Sequence, residues 1–285
     1  TGSGKNARPT LSLGIDRTHL LTSEKIDKPT RYTLRNAWGL TTVPAMRHAI
    51  LGDIHGNWEA LNAVLIDARN RGATRFWCIG DIVGYNADPV RCIEALHTVG
   101  CASVLGNHDS YAATEDVDID MNTVASRAID WTRAILSAEH RRYLGALPRT
   151  LHTDDFELVH NSLAAFGEWI YVMDDWDAAD HFQFQRIRLC FHGHTHRPYV
   201  FRKHGGVSGR RDAHVTLGRG TRYFVNVGSV GQPRDRDPRA AYAIFDAEHQ
   251  AVDLHRIPYD IPATQRKIRT AGLPEFLATR LAMGL

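Results

Sequence analysis

The pattern of apolar and polar residues changes near Met46, and from there short apolar runs alternate with amphipathic stretches. Three runs of strand length come first: "RHAIL" (47–51), "RFWCI" (75–79) and "ASVL" (102–105). Two stretches with helical periodicity separate them, and the first has these apolar residues on one face: Leu61, Val64, Leu65 and Ala68. The second begins at Asp88 and Pro89, a typical helix start. This order predicts a βαβ core with parallel strands.

The second half of the chain carries a different pattern. Residues 110–147 look mostly helical, and another helix is predicted near 175–185. Strand-like runs occupy 156–160 and 187–193, followed by "PYVFR", "RYFVNVG", "AAYAIFD" and "AVDLHRI". The later runs suit an antiparallel or mixed sheet, with a loop predicted at "HGGVSGRRD" (204–212).

The chain divides into three parts. Residues 1–45 are polar, interrupted by prolines and without a sustained period, so we expect an N-terminal extension, for which partial disorder is one interpretation. Residues 46–263 form the main domain, and 264–285 a C-terminal helical tail.

Composition narrows the class of protein. The chain has 285 residues, 43% of them apolar and 23% charged, which is ordinary for a globular protein. A net charge of +2 does not indicate nucleic-acid binding, and no apolar run approaches a membrane span. The four cysteines lack CxxC spacing and the N-terminus lacks a secretory pattern, so we expect a cytoplasmic protein.

Polar side chains that can bind a metal stand at the end of five apolar runs. They are Asp53 and His55; Asp81; Asn107, His108 and Asp109; His160; and His194 and His196. Any one of them could be a turn residue or a helix cap. Because ligands gather at the carboxyl ends of strands in open α/β sheets, five such ends indicate a shared site.

The ligand types favour two metal ions. Carboxylates, an amide oxygen and four imidazoles are too many for one tetrahedral ion, and Asp81 could bridge two. A nitrogen and oxygen set without thiolate favours Mn, Fe, Zn, Co or Ni over soft Cu(I). Of these, Mn is the expected ion. Two ions about 3.5–4 Å apart can hold a hydroxide and clamp a phosphoryl group during in-line attack.

The motifs resemble the calcineurin-like metallophosphoesterases, in particular a small bacterial phosphodiesterase-type branch. The family pattern appears as D-x-H (53–55), G-D (80–81), G-N-H-D (106–109), a strand-end His160 and G-H-x-H (193–196), and "GSVGQPRD" (228–235) resembles the closing signature of that branch. The resemblance covers about 46–260. It implies two packed mixed β-sheets flanked by helices, a four-layer αββα sandwich of the α/β class.

The resemblance also implies roles for the motif residues. One metal would be bound by Asp53, His55, Asp81 and His196, and the other by Asp81 as a bridge, Asn107, His160 and His194. His108 would face the phosphate as the leaving-group acid or oxyanion stabiliser. His192 falls outside the motif, and we expect it to pack at the strand end.

Two departures from the family bear on the substrate. The phosphoprotein phosphatase branch reads G-D-x-V-D-R-G where this chain reads "GDIVGYNADP", so the Asp that pairs with the catalytic His and the phosphate-binding Arg are missing. This argues against phosphoprotein substrates and disfavours a symmetrical dinucleoside tetraphosphatase. Asn161 and Ser162 follow the strand-end His where many members have Gly-Ser.

Further residues are candidates for substrate contact. Asn57 could bind phosphate or cap a helix, Tyr85 could line the substrate mouth or form a turn, and Arg234 could bind phosphate or lie in a solvated loop. The aromatic residues that could stack on a nucleobase, or simply pack, are Trp169, Tyr171 and Trp176.

The resulting hypothesis is a dinuclear metal-dependent phosphodiesterase with a small phosphate-ester or nucleotide substrate, in which His108 assists attack by a metal-bridging hydroxide. The alternatives are a nucleotide or dinucleoside-polyphosphate hydrolase, a phosphomonoesterase, and a non-catalytic interaction scaffold on the same fold. No membrane partner is expected, and a homo-oligomer is left open.

Overall fold

The computed structural model describes residues 35–36, 39–40, 46–114, 122–165 and 167–285. Two units, 1–43 and 44–285, separate by their contacts. The expected N-terminal extension lies outside the described residues, except for strands β1 (Arg35–Asn36) and β2 (Gly39–Leu40), which pair in antiparallel.

The second unit contains the remaining strands and helices. Its strands are β3 (Arg47–Leu51), β4 (Ala73–Cys78), β5 (Ala102–Ser103), β6 (Thr150–His152), β7 (Glu157–Val159), β8 (Leu189–His192), β9 (Tyr199–His204), β10 (Gly206–Arg210), β11 (His214–Thr216), β12 (Arg222–Asn226), β13 (Ala240–Asp246) and β14 (Ala251–Ile257). Its helices are α1 (Trp58–Asn70), α2 (Pro89–Thr98), α3 (Asn107–Ala113), α4 (Thr123–Ile135), α5 (Ala138–Gly145), α6 (Asp175–Phe184), α7 (Ile261–Thr270) and α8 (Glu275–Leu281).

The strands form two mixed sheets of six strands each, in the orders β11-β14-β13-β3-β4-β5 and β10-β9-β12-β8-β7-β6. In the first sheet β3, β4 and β5 are parallel to one another, and in the second β7, β8 and β12 are. The antiparallel strands lie outside these parallel cores. The parallel βαβ core that the sequence predicts is confirmed.

Successive side chains of each strand point to opposite faces of its sheet, and this alternation produces the layers of the fold. In β3, Ala49 and Leu51 contact the cluster that includes α1 and α2, while Ile50 faces the other sheet together with Phe191 of β8. In β12, Phe224 packs with α6 on the outer face of the second sheet. The order helix, sheet, sheet, helix is the expected αββα sandwich.

One local prediction was wrong. Residues 206–210, expected to be part of a loop, form β10 and pair with β9 from Gly206 opposite His204 to Arg210 opposite Val200. Only Gly205 makes the turn, with φ of 75°. The glycine-rich composition suggested a loop, but pairing with a neighbouring strand decided the structure.

The C-terminal helices pack against the main domain. α7 begins at Ile261, three residues before the expected boundary at 264, and Lys267 forms ion pairs with Glu59 and Asp88, both at 2.6 Å. A cluster of apolar side chains joins α7 and α8 to α4 and to Tyr85. Among the described helices, none has both the length and the apolar character of a membrane span.

Candidate metal centre

Loops that follow the parallel strands carry the predicted site residues. Asp53 and His55 follow β3, Asp81 follows β4, and Asn107 and His108 open α3 after β5. The second sheet contributes His160 after β7, and His194 and His196 after β8. Both sheets therefore present their strand ends to one place.

The side chains meet in two overlapping clusters. In one, ligand atoms of Asp53, His55, Asp81 and His196 lie within 4.8 Å of one another. In the other, the same holds for Asp81, His160 and His194. Asn107 joins the second cluster, with its Oδ1 3.2 Å from His160 Nε2. Asp81 is the member that both clusters share.

The orientation of the imidazole rings fits bound cations. The Nδ1 atoms of His55, His160 and His196 lie 3.0, 2.8 and 2.6 Å from backbone carbonyl oxygens, which only accept hydrogen bonds. Each Nδ1 therefore carries the proton and each Nε2 presents a lone pair, the arrangement usual for metal-binding histidines. The Nε2 atoms of His55 and His196 face each other at 3.1 Å, where a cation between them would remove their repulsion.

The electrostatics of the cluster also favour the binding of cations. Burial, followed by the nearby Asp81 carboxylate, raises the pKa of Asp53 well above its ordinary value. Burial raises the pKa of Asp81 to about 8 and lowers that of His160 to about 4. Two buried carboxylates with neutral imidazoles form a site that divalent cations stabilise in its ionised form.

The backbone that carries these residues adopts an uncommon conformation. Asp53, His55, Asp81, His194 and His196 all have φ between 49° and 65°, the left-handed region. Such residues cost on the order of 1–3 kcal/mol each and persist only where the surrounding structure holds them. Hydrogen bonds between loops do so: the amide of His55 donates to the Asp81 carbonyl at 2.9 Å, and that of His194 donates to the Asp53 carboxylate at 3.0 Å.

Close packing of the loops explains two of the motif glycines. A Cβ on Gly106 would lie 2.1 Å from the Asp81 carboxylate, and one on Gly80 would lie 2.5 Å from the Gly106 nitrogen. Gly80 also has φ of 92°. Only glycine allows the loops after β4 and β5 to approach this closely.

Asp109, whose role the sequence did not reveal, fixes the same two loops. Its buried carboxylate accepts hydrogen bonds from the amides of Ile82 at 2.9 Å, Val83 at 3.2 Å and Gly106 at 3.2 Å. It thereby ties the loop that carries Asp81 to the start of α3. The sequence signal for this role was the position of Asp109 directly after His108 in the G-N-H-D motif.

His108 lies beside the cluster, between two other rings. Its ring centroid is 4.4 Å from that of Tyr85 and 4.7 Å from that of His55, and its backbone amide donates to Asp81 at 2.9 Å. Its buried Nδ1 has no hydrogen-bond partner among the described residues. Gly84 occupies the place of the missing Asp, and a Cβ there would lie 2.4 Å from Nδ1. Burial lowers the pKa of His108 well below its ordinary value.

A cleft of about 180 Å³ opens onto the cluster. It is lined by Asp81, Tyr85, Asn107, His108, Tyr111, Asn122, Ala125, Trp169, Tyr171, His194, His196 and Arg234. Two of the proposed substrate contacts, Tyr85 and Arg234, therefore lie at the cleft, and Arg234 Nη2 donates to the Tyr85 hydroxyl at 3.4 Å. Tyr111 and Asn122 were missed, because nothing in the local pattern distinguishes them.

Two other residues lie away from the cleft. Asn57 is fully buried; its Oδ1 caps α1 at the amide of Ala60, and its Nδ2 donates to Gly231. Asn57 is therefore not among the residues that line the cleft. His192 is buried within β8 and stacks on Phe224 with centroids 3.6 Å apart.

Comparison with known proteins places this geometry in a family. The calcineurin-like phosphoesterase superfamily domain matches residues 46–250. The crystal structure of a metallophosphoesterase from Sphaerobacter thermophilus is 42% identical, covers 85% of this chain and 100% of its own, and superposes with a TM-score of 0.76. An uncharacterized protein of Methanocaldococcus jannaschii is 36% identical over 245 residues, 83% of this chain and 97% of the relative.

A hypothetical protein from Pyrococcus horikoshii OT3 shares the fold at 22% identity, with a TM-score of 0.69 over 84% of this chain and 99% of its own. The family and the Asp–His cluster together suggest a dinuclear divalent metal site. The chain belongs to the calcineurin-like phosphoesterase superfamily and is a metal-dependent phosphoester hydrolase.

Proposed function

We propose that this protein is a dinuclear metallophosphodiesterase. Asp53, His55, Asp81 and His196 bind one ion; Asp81, Asn107, His160 and His194 bind the other. The observation that carries the assignment is the position of Asp81 in both clusters, which supports a role for it as the ligand that would bridge the two ions. The donors are imidazole, carboxylate and amide groups without thiolate, which suits Mn, Fe, Zn, Co or Ni, and manganese is the metal we expect.

The metal pair would supply a nucleophile at neutral pH and charge stabilisation for the phosphoryl group. The chain itself supplies the rest of the site. His108 lines the cleft and delivers a proton or a hydrogen bond to the leaving oxygen. Contacts with Tyr85 and His55 hold its ring, and Arg234, which also lines the cleft, supplies a positive charge for the phosphate.

Two features favour phosphodiesters over phosphoprotein substrates. Gly84 and Tyr85 stand where the phosphoprotein branch has its Asp and Arg, so that a doubly charged phosphate monoester meets fewer cations. Aromatic rings of Tyr111, Trp169 and Tyr171 line the cleft and suit an organic ester group.

The main enzymatic alternatives are hydrolysis of nucleotides or dinucleoside polyphosphates and phosphomonoesterase activity. A panel of these substrates against each divalent metal separates them from phosphodiester hydrolysis. A scaffold role is disfavoured because every ligand position of the family pattern is filled, and elemental analysis tests it: a scaffold need not retain two metals per chain.

Bis(p-nitrophenyl) phosphate with Mn²⁺ is the first substrate to test, in the wild type, Asp81→Ala and His108→Ala. We expect turnover by the wild type, loss of turnover in Asp81→Ala and slower turnover in His108→Ala. A metal-loaded wild type that is inert toward phosphodiesters and phosphomonoesters would overturn the proposal.

The cysteines support the expected cytoplasmic location. Cys78, Cys92 and Cys190 are buried free thiols, and Cys101 is half-buried and also unpaired. Free thiols of this kind suit a reducing compartment.

A further inference from the structure

A second hollow adjoins the metal cleft. It has a volume of about 340 Å³ and is lined by Tyr171, Met173, Thr195, Arg197 and Arg234. Tyr171 and Arg234 also line the metal cleft, so the two spaces meet at these side chains. The volume lies within the range of small-molecule pockets, roughly 300–1,000 Å³.

The ring of Tyr171 forms the wall between the two spaces. It stacks on His194 with centroids 4.2 Å apart and an interplanar angle of 18°. The side chain is nevertheless 51% exposed. Because one face of the ring covers a buried imidazole, the exposed surface is on the side away from His194.

The segment that carries Tyr171 is anchored. The Nδ2 of Asn161 donates to the carbonyls of Glu168 at 3.0 Å and Ile170 at 3.3 Å. Val172 is inserted into the core, and the amide of Met173 donates to Asp177 at 2.8 Å. Tyr171 and Met173, on either side of Val172, are both directed outward and more than half exposed. Asn161, one of the departures from the family pattern, thus holds a preformed aromatic platform.

Two arginines line the hollow beside the platform. Arg234 lies at the boundary with the metal cleft, and Arg197 donates from Nε to the Arg234 carbonyl at 3.0 Å. An aromatic ring, a thioether and guanidinium groups together suit a planar aromatic group attached to an anionic phosphate.

We propose that this hollow binds an aromatic ester group, an aryl ring or a nucleobase, that remains on the phosphate after a diester is cleaved. The inference rests on the proposed phosphodiesterase function. The group beside His108 leaves: its P–O bond breaks, a P–O bond to the water oxygen forms, and one water proton is transferred to the leaving oxygen or released. The products are a monoester, with its ring on Tyr171, and an alcohol.

Two diesters with the same leaving group test the proposal. Bis(p-nitrophenyl) phosphate and methyl p-nitrophenyl phosphate both release p-nitrophenolate but retain different groups, an aryl and a methyl ester. We expect the wild type with Mn²⁺ to have a kcat/KM about tenfold higher for the aryl diester. A p-nitrophenyl ester of thymidine 5′-monophosphate, compared in the same way, distinguishes a nucleobase from an aryl ring.

Substitutions in the hollow test where the retained aromatic ring of the substrate binds. Tyr171→Ala should remove most of the tenfold ratio and Tyr171→Phe should keep it. Met173→Ala should lower it about threefold, because Met173 lines the hollow and not the metal cleft. Trp176→Ala is the matched control, since this neighbouring side chain is 84% exposed and lines neither space. The proposal would be overturned if Tyr171→Ala left the ratio unchanged. It would equally be overturned if Met173→Ala left the ratio unchanged.

Calorimetric binding of phenylphosphonate and methylphosphonate to the Mn²⁺-loaded protein gives a readout that does not depend on turnover. Tighter binding of the phenyl compound, lost in Tyr171→Ala, supports the hollow. Equal affinities in the wild type contradict it. If neither diester is hydrolysed the proposed function fails, and the calorimetric comparison still decides whether the hollow binds a ring.

Discussion

His55 and His196, which are 141 positions apart in the chain, point their Nε2 atoms at each other across 3.1 Å. Each ring is held from behind by a backbone carbonyl, that of Val83 for His55 and that of Gln232 for His196. The protein thus fixes two lone pairs toward one point before any ion arrives. This preorganisation is what the second coordination shell of a metal site provides.

Asp81→Asn should abolish binding of both metals, because Asp81 is the only residue shared by the two described clusters. Metal content after dialysis, measured by inductively coupled plasma mass spectrometry, checks this. Asp130→Asn is the control: its side chain is 64% exposed on α4, and it should retain two ions per chain. An Asp81→Asn protein that still holds two ions would refute the bridging assignment.

His108→Ala should slow phosphodiester hydrolysis by about 10²-fold or more while both metals remain bound. The reason is that the His108 ring lines the cleft but is not a member of either cluster. Steady-state kinetics and metal analysis on the same preparation test the slower hydrolysis and the retained metal content. Loss of the metals together with activity would remove the assigned role of His108.

His192→Asn should leave kcat/KM within about threefold of the wild type, whereas His194→Asn should remove activity. His192 stacks on Phe224, whose other close stacking partner is His181 at 3.4 Å, so the substitution acts on packing. We expect a loss of stability of about 1 kcal/mol, measured by denaturant unfolding. Equal loss of activity in the two variants would mean that the alternate histidines share one function.

Asp109→Ala should lower both stability and metal affinity, although Asp109 belongs to neither cluster. Removal of its carboxylate leaves the amides of Ile82, Val83 and Gly106 without their acceptor, at a cost of about 1–3 kcal/mol for each amide left unpaired. Thermal unfolding with and without Mn²⁺ measures the two effects. A variant with unchanged metal affinity would show that metal binding by Asp81 does not depend on the hydrogen bonds of Asp109.

Sequence reasoning found the cluster because its chemistry is local. Short motifs such as 53–55 and 193–196 follow apolar runs directly, and parallel strands bring their ends together by a general rule. The amphipathic helix α1 was equally clear, since its buried residues follow one period.

The features that sequence reasoning missed depend on contacts between distant segments. Asn161 was noted as a departure, but its bonds to Glu168 and Ile170 become visible only once the loop is folded. The packing of Tyr85 against α4, α7 and α8 likewise joins segments far apart in the chain. Local periodicity carries no information on such contacts.

Titration of metal-free protein with Mn²⁺ tests the central claim most directly, with hydrolysis of bis(p-nitrophenyl) phosphate followed at each step. The account predicts activity that rises to a plateau at two equivalents per chain and is absent in Asp81→Asn. Saturation at one equivalent, or no hydrolysis once two ions are bound, would contradict it.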